Sequence, residues 1–163
     1  MTYQNSRLSG AASVSRVDAV DPQSLFLITA LRLSARNGKG ERSESWGALW
    51  EGFALNVGVK RADEARATFE NLVSLFRKHG RRPLVTHDGS CSCIGSDEVV
   101  FSQFVCLAAD GEPEDAMLMG MLMLRADIVP LAVGVAQQLG LLTRAMYDFG
   151  AVSVEGPEHR AYH

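Results

Sequence analysis

The chain has 163 residues, of which 47% are hydrophobic and 21% are charged, as in an ordinary soluble globular protein. This composition excludes collagen-like, disordered and disulfide-scaffold proteins, and the length suits one domain with its own core. Sixteen basic and nineteen acidic side chains give a formal charge of −3. That balance argues against a protein coated in nucleic acid, although one basic face remains compatible with it.

The two ends of the chain lack helix signals. Residues 1–20 are rich in Ser, Ala and Gly and contain no continuous apolar run, so we expect a flexible N-terminal tail rather than a signal peptide. Gly156 and Pro157 are typical of a C-terminal tail, which we place over 150–163. A helical domain over 21–149 remains between the two tails.

An apolar stretch and three cysteines indicate where in the cell the protein is expected. Arg125, Asp127 and Pro130 interrupt the apolar stretch over 116–142, so we expect no membrane span. Three cysteines, an odd number with two of them in a Cys-x-Cys pair, are typical of a reducing compartment. The sequence therefore predicts a cytoplasmic protein.

Start and stop signals place three helices in the first half of the chain. Asp21 followed by Pro22 is an N-cap with a proline in the first turn. Ser43 is an N-cap for a second helix, which Gly58 ends. A third helix is predicted over 62–79, with its apolar residues on one face and its charged residues on the other.

Three more helices are predicted in the second half. Serine and two acidic residues open a fourth helix over 96–109. Pro113 opens a fifth, which is apolar on nearly every side and is predicted to be the central helix of the bundle. Pro130 opens a sixth that lasts to about Phe149. The prediction is an all-α, single-domain bundle of five to six helices, with a short irregular or hairpin segment over 81–95.

The irregular segment contains an unusual Cys-x-Cys pair. If the Asp-Gly dipeptide at 88–89 forms a two-residue hairpin turn, Thr86 lies opposite Cys91. Cys91 and Cys93 would then share one face of the hairpin, and His87 would point to the other.

Metal binding and thiol chemistry are two alternatives for these residues. One imidazole and three thiols form a complete zinc ligand set, at His87, Cys91, Cys93 and Cys106. Their spacing matches no zinc signature, so no cofactor is predicted and zinc stays an alternative. A redox thiol is the other alternative, because Cys93 precedes a helix N-terminus, which favours a thiolate. The acidic pair Asp97 and Glu98 opposes a thiolate, and the helix dipole alone explains why that pair is there.

A basic cluster spans the end of the third helix and the residues just after it, and its members suited to contact phosphate are Arg77, Lys78, Arg81 and Arg82. The two helices over 44–79 resemble a helix-turn-helix unit, and residues 83–93 would form the wing of a winged helix. The third helix, however, has the mixed charge that is typical of a solvated surface helix. Nucleic acid is therefore an alternative partner rather than the favoured one.

The sequence has no hydrolase elbow, no metalloprotease motif and no nucleotide-binding fingerprint, so an enzyme is not favoured. Trp46 and Trp50 lie one turn apart at the edge of the polar sector of the second helix, and are a candidate interface. We therefore predict a non-enzymatic protein-interaction or regulatory module that binds a protein partner or forms a homodimer. The alternatives are a DNA-binding regulator and a metal-binding or thiol-redox protein.

Overall fold

Six α-helices and one small sheet make up the part of the chain that the computed structural model describes, residues 13–37 and 44–146. The helices are α1 (Pro22–Asn37), α2 (Glu44–Val57), α3 (Val59–His79), α4 (Ser96–Ala109), α5 (Pro113–Met123) and α6 (Val129–Thr143). The strands are β1 (Ser13–Arg16) and β2 (Cys93–Gly95). The predicted all-α bundle is confirmed.

Two of the helices begin where the sequence predicted, α1 with the predicted Asp21 cap and α4 with Gly95 rather than Ser96 at the cap position. The Asp21 carboxylate accepts the backbone N–H of Ser24 at 2.8 Å, so it caps α1 ahead of Pro22. At the start of α4 the Glu98 carboxylate reaches back to the backbone N–H of Gly95 at 2.9 Å. Both bonds satisfy N–H groups that a helix start leaves without a partner in the helix itself.

The third helix starts at Val59 rather than near Ala62. Gly58 has a φ of +88°, so a single residue in a conformation that favours glycine separates α2 from α3. The backbone N–H of Ala62 already donates to the carbonyl of Gly58 at 3.1 Å. The connection between the two helices is therefore shorter than predicted.

Part of the predicted N-terminal tail belongs to the sheet. β1 pairs antiparallel with β2, with Ser15 opposite Ile94 and Arg16 opposite Cys93. The prediction of a flexible tail is thus wrong for 13–16, because the backbone of β1 hydrogen bonds to the strand that leads into α4. Residues 1–12 and the predicted tail over 150–163 lie outside the described residues, as do Ser43 and Phe149.

The prediction of an irregular or hairpin segment over 81–95 is confirmed in its irregular form, because residues 81–92 have no helix or strand and do not form a hairpin with residues 93–95. The turn spans Asp88 to Cys91, whose backbone N–H donates to the Asp88 carbonyl at 2.9 Å, but β2 pairs with β1 instead of with residues 84–86. The backbone N–H groups of Val85 and His87 donate to side chains of α4, so they are not available to a neighbouring strand. For the same reason residues 83–93 do not form the predicted wing of a winged helix.

The central helix is α4, not α5. α4 packs against α1, α5 and α6, and Phe101, Phe104 and Val105 on it are fully buried. α5 buries one narrow face, where Gly120 lies against Phe104 of α4 and Val129 of α6. An all-round apolar sequence could not distinguish the centre of the bundle from its surface.

The opposite face of α5 is exposed. Leu118, Met121 and Leu122 are 64%, 42% and 63% exposed, which corrects the prediction of a helix surrounded by protein. Apolar residues that recur at this spacing form a stripe along one side of a helix. Within the described residues no helix is both long enough and apolar enough to cross a membrane.

α4 and α6 cross so closely that one position admits only glycine. A Cβ atom at Gly140 would lie 2.5 Å from the Cβ of Ala109 and 2.7 Å from the carbonyl oxygen of Val105. Gly134, on the same helix, has no atom within 4 Å of its equivalent position. The two glycines therefore differ in the packing around them and not in the helix that carries them.

We expect Gly140→Ala to lower the free energy of unfolding by about 1–3 kcal/mol, because a methyl group there forces two packed helices apart. Gly134→Ala is the matched control and should raise it by up to about 1 kcal/mol, since alanine has the better helix propensity. Urea denaturation measures both changes, provided that the dependence of the unfolding free energy on urea concentration is the same in the variants and the native chain. Equal effects of the two variants would contradict the close helix crossing.

Candidate functional site

Two acidic side chains in the first turn of α4 are buried beneath residues 81–92, which we call the anchored loop. Asp97 and Glu98 expose only 4% and 0% of their surface. Carboxylates at this depth need cationic or N–H partners, because burial without them costs several kcal/mol. Both have such partners, from α1 and from the anchored loop.

Glu98 forms an ion pair with Arg32 on the buried side of α1. Nε of Arg32 donates to Oε1 at 2.7 Å and Nη2 donates to Oε2 at 2.9 Å. The two side chains are 5% and 0% exposed. A planar guanidinium group matches both carboxylate oxygens at once, so this contact fixes α1 against the start of α4.

Arg32 also holds the backbone that leads into β2. Its Nη1 donates to the carbonyl oxygens of Asp88 at 3.2 Å and Cys91 at 2.9 Å. Its Nη2 donates to the carbonyl oxygen of Cys93 at 2.6 Å. This part of the chain has no helix or strand until β2, so the arginine fixes a path that regular secondary structure does not.

The two carboxylates of α4 hold the other half of the anchored loop. Asp97 accepts two hydrogen bonds from the guanidinium group of Arg82, at 2.6 and 2.7 Å, and the backbone N–H of Val85 at 2.9 Å. Oε1 of Glu98 accepts the backbone N–H of His87 at 2.9 Å. The loop is thus attached to the bundle along most of its length.

These contacts keep both carboxylates charged. Burial alone would raise the pKa of Glu98, but hydrogen bonds from Arg32 and from backbone N–H groups, with the arginine charge, outweigh burial and lower it below 4.5. Burial likewise opposes ionisation of Asp97, yet Arg82 and the N–H of Val85 lower the pKa of Asp97 below 3.8. Both groups are therefore ionised at neutral pH.

A cleft of about 530 Å³ lies between α1, α3 and the first part of the anchored loop. Its apolar lining includes Leu31 of α1, Val73 and Phe76 of α3, and Pro83 and Leu84 of the loop. The charged side chains that line it are all arginines, namely Arg77, Arg81 and Arg82. The cleft thus combines an apolar wall with a positively charged one.

The structure brings three of the four predicted phosphate contacts to this cleft. Nη2 of Arg77 donates to the carbonyl and hydroxyl oxygens of Ser34, both at 3.3 Å, and Nε of Arg81 donates to the carbonyl of Leu124 at 3.0 Å. The third arginine is paired with the buried aspartate described above. Lys78 is exposed on α3 and does not line the cleft.

The predicted helix-turn-helix unit over 44–79 corresponds to α2 and α3. The exposed side of α3 carries charges of both signs that are engaged within the chain. Nε of Arg66 donates to Glu70 at 3.2 Å, and Gln138 of α6 donates to Glu64 at 3.2 Å. This face offers no continuous row of basic groups.

The predicted metal or thiol residues divide between two places. Sγ of Cys91 lies 3.8 Å from Nδ1 of His87, and the backbone N–H of Cys93 donates to the same sulfur at 3.4 Å. Cys106 lies on α4, 3.9 Å from the Ser24 hydroxyl, beside a different cavity of about 730 Å³. In the described part of the chain, no three or more histidine, cysteine or acidic side chains are placed to hold a metal ion.

The candidate interface residues Trp46 and Trp50 belong to the core, so their side chains are covered by the chain itself and are not available to a partner. They are 9% and 4% exposed. The ring centroid of Trp50 is 5.4 Å from that of Phe26 on α1, and that of Trp46 is 5.9 Å from Phe69 on α3. Both indoles are covered because α1 and α3 pack against α2, a tertiary contact that the pattern of a single helix does not contain.

Sequence reasoning missed Arg32 altogether and assigned Asp97 and Glu98 to the helix dipole alone. Two signals pointed to the buried pair. An arginine interrupts the apolar run of α1, and two acids follow a segment that has no helix or strand pattern. A charge on an otherwise apolar helix face requires a partner, although the sequence does not say which.

Comparison with known proteins finds no matching family model, no matching curated protein and no matching solved structure. A functional assignment therefore has to come from the cleft, the buried ion pair and the thiol–imidazole contact.

Glu98→Gln should lower the free energy of unfolding by about 3–5 kcal/mol, because it leaves the Arg32 charge buried without a counter-charge. The matched control is Asp127→Asn, which removes the carboxylate of the exposed Arg125–Asp127 pair and should cost less than about 1 kcal/mol. Chemical denaturation measures both. Similar losses in the two variants would show that burial of the Arg32–Glu98 pair is energetically unimportant.

Stability should fall as the pH drops below the ordinary carboxyl range. The pKa values of Asp97 and Glu98 are lower in the folded protein than in the unfolded chain, so both carboxylates stabilise the fold fully above about pH 5. That contribution is lost as the pH falls through the lowered values, because the unfolded chain binds protons first. We expect the melting temperature to fall less steeply between about pH 6 and pH 2 in Asp97→Asn and in Glu98→Gln than in the native chain. Parallel curves would contradict the assignment to these two groups.

Proposed function

We propose that this protein is a non-enzymatic interaction module, and that its arginine-lined cleft binds an acidic, apolar segment of a partner protein. The observation that carries the proposal is the composition of the cleft wall. Apolar side chains of α1, α3 and the anchored loop share the cleft with three arginines, and no acidic residue lines it. Such a site favours a ligand that has both an apolar side chain and a carboxylate.

Two of the three arginines supply the charge of the cleft. Arg82 is neutralised by its contact with Asp97. Arg77 and Arg81 have no ion pair within the described residues, and each hydrogen bonds only to neutral oxygen atoms. Those bonds orient the guanidinium groups and leave their other N–H groups free for a carboxylate.

A protein segment fits this cleft better than a DNA backbone does. Phosphate contacts of DNA-binding proteins come from basic groups distributed along a surface that follows the duplex. Here Arg77 and Arg81 flank a concave apolar surface formed by residues such as Phe76 and Leu84. A leucine or phenylalanine of the partner would fill that surface, with a neighbouring glutamate or aspartate beside the arginines.

Random peptides displayed on phage and selected on the full-length protein would test the proposal. We expect the enriched peptides to combine leucine or phenylalanine with glutamate or aspartate. The double variant Arg77→Gln/Arg81→Gln should bind them about tenfold more weakly, since two partly exposed ion pairs contribute up to about 1 kcal/mol each. The difference should shrink as salt is added.

The matched control is Arg66→Gln/Arg125→Gln, which removes the same charge from exposed arginines outside the cleft. This variant should bind the selected peptides as well as the native chain does. Equal binding by both double variants would show that the peptides bind elsewhere. A DNA duplex that binds more tightly than any selected peptide, and depends on Arg77 and Arg81, would assign the arginines to nucleic acid instead.

A further inference from the structure

A thiol and an imidazole meet in the anchored loop, in a part of the loop that does not line the cleft. Sγ of Cys91 lies 3.8 Å from Nδ1 of His87 and accepts the backbone N–H of Cys93 at 3.4 Å. We propose that Cys91 is a nucleophilic thiol that reacts with peroxides, and that Cys93 then converts the product into a Cys91–Cys93 disulfide.

The buried ion pair fixes the positions of both reacting groups. Glu98 holds the backbone N–H of His87, and Arg32 holds the carbonyl oxygens of Cys91 and Cys93. The imidazole and the thiol are therefore carried by backbone that is attached to the bundle at several points. Such support is what a reactive pair on a loop needs, because small displacements weaken proton transfer between the two groups.

Two groups of the chain lie against the Cys91 sulfur, the imidazole of His87 and the backbone N–H of Cys93. His87 is placed to accept the thiol proton, and the N–H of Cys93 already donates to the sulfur. The charged groups nearby are the Arg32–Glu98 pair beneath the loop and the Asp88–Arg36 pair at its tip, whose Oδ1 and Nη1 atoms are 3.7 Å apart. Each cation is matched by an anion, so the imidazole of His87 is the group that we expect to exchange a proton with the thiol.

Cys106 provides an internal reference for an unreactive thiol. Burial raises the pKa of Cys106 to about 11, so at neutral pH it stays protonated. Cys91 and Cys106 are both half-buried, but Cys91 lies on the loop between the exposed residues Ser90 and Ser92, whereas Cys106 lies on α4. We therefore expect a small oxidant to reach the sulfur of Cys91 more readily than that of Cys106.

The proposed reaction has two steps. The Cys91 thiolate attacks one oxygen of a peroxide, the O–O bond breaks, and a sulfenic acid forms while the other oxygen leaves and takes up the proton held by His87. The Cys93 thiolate then attacks the sulfenic sulfur, the S–O bond breaks, and hydroxide leaves and is protonated to water. The two thiols are oxidised and the peroxide is reduced by the same two electrons.

The disulfide would change the loop as well as the thiols. A bond between Cys91 and Cys93 closes a small ring around Ser92 and moves the two carbonyl groups that Arg32 holds. Arg32 then loses acceptors, and the anchored loop is released from α1. Oxidation should therefore expose the loop to proteases.

Alkylation of the reduced full-length protein tests the nucleophile. With limiting iodoacetamide at neutral pH, mass spectrometry should show Cys91 modified at least about tenfold faster than Cys106. His87→Gln should slow the reaction of Cys91 several-fold, whereas the matched variant His79→Gln, at the end of α3, should leave it unchanged. The ranking of the three thiols in the native chain needs no variant.

Hydrogen peroxide tests the second step. We expect a proteolytic fragment with a Cys91–Cys93 disulfide, and faster cleavage of the anchored loop in the oxidised protein. In Cys93→Ser the sulfenic acid of Cys91 should persist and be trapped by dimedone. Cys91 no faster than Cys106, equal rates in the two histidine variants, or oxidation without the intrachain disulfide would each overturn the proposal. These readouts are independent of any partner in the cleft.

Discussion

The ion pair between Arg32 and Glu98 is the contact on which the rest of this structure depends. Removing two charges from water costs several kcal/mol per ion, and their attraction offsets that cost only when every remaining donor and acceptor is satisfied. In this protein the remaining partners come from the chain segment that leads into β2. Arg32 donates to three carbonyl oxygens there, and Glu98 accepts the N–H groups of His87 and Gly95. The pair and the segment therefore stabilise each other.

This mutual dependence connects parts of the fold that are distant in sequence. The backbone of β2 is held on one edge by β1 and at the Cys93 carbonyl by α1. The anchored loop then presents its first residues to the cleft and its last residues to the thiol–imidazole contact. Because Asp97 and Glu98 are adjacent on α4, one helix turn fixes both halves of the loop. We therefore expect that a displacement of the first residues of the anchored loop also displaces its last residues, because the same helix turn holds both.

Local sequence signals predicted the helices well, because helix ends are determined by neighbouring residues. The Asp21 cap and the bounds of α4 are examples, and both caps act within three residues. Apart from the start of α3 at Val59, the errors concern contacts between elements that are distant in sequence. The indoles of Trp46 and Trp50 are covered by α1 and α3, and the exposed face of α5 carries apolar residues just as its buried face does.

Part of the candidate site was predictable from the sequence, but Arg32 and the geometry of the site were not. The basic cluster and the Cys-x-Cys pair were identified from the sequence, and three of the arginines do surround one cleft. The ion pair that holds the Cys-x-Cys pair in place joins Arg32 and Glu98, which are 66 positions apart in the sequence. No periodic pattern encodes such a pairing, since each partner alone is only a charge next to apolar residues.

The buried pair also explains why an apolar substitute would not serve here. Two aliphatic side chains at 32 and 98 would fill similar space without the desolvation of charges, and in many proteins such a replacement is neutral or stabilising. In this fold it would leave the carbonyl oxygens of Asp88, Cys91 and Cys93 and the N–H of His87 without their partners. Each buried polar group without a partner costs about 1–3 kcal/mol. The loop would therefore detach from the bundle, and its polar groups would hydrogen bond to water instead. The ion pair is thus the element that makes an irregular loop part of the folded structure, and with it the cleft and the reactive thiol.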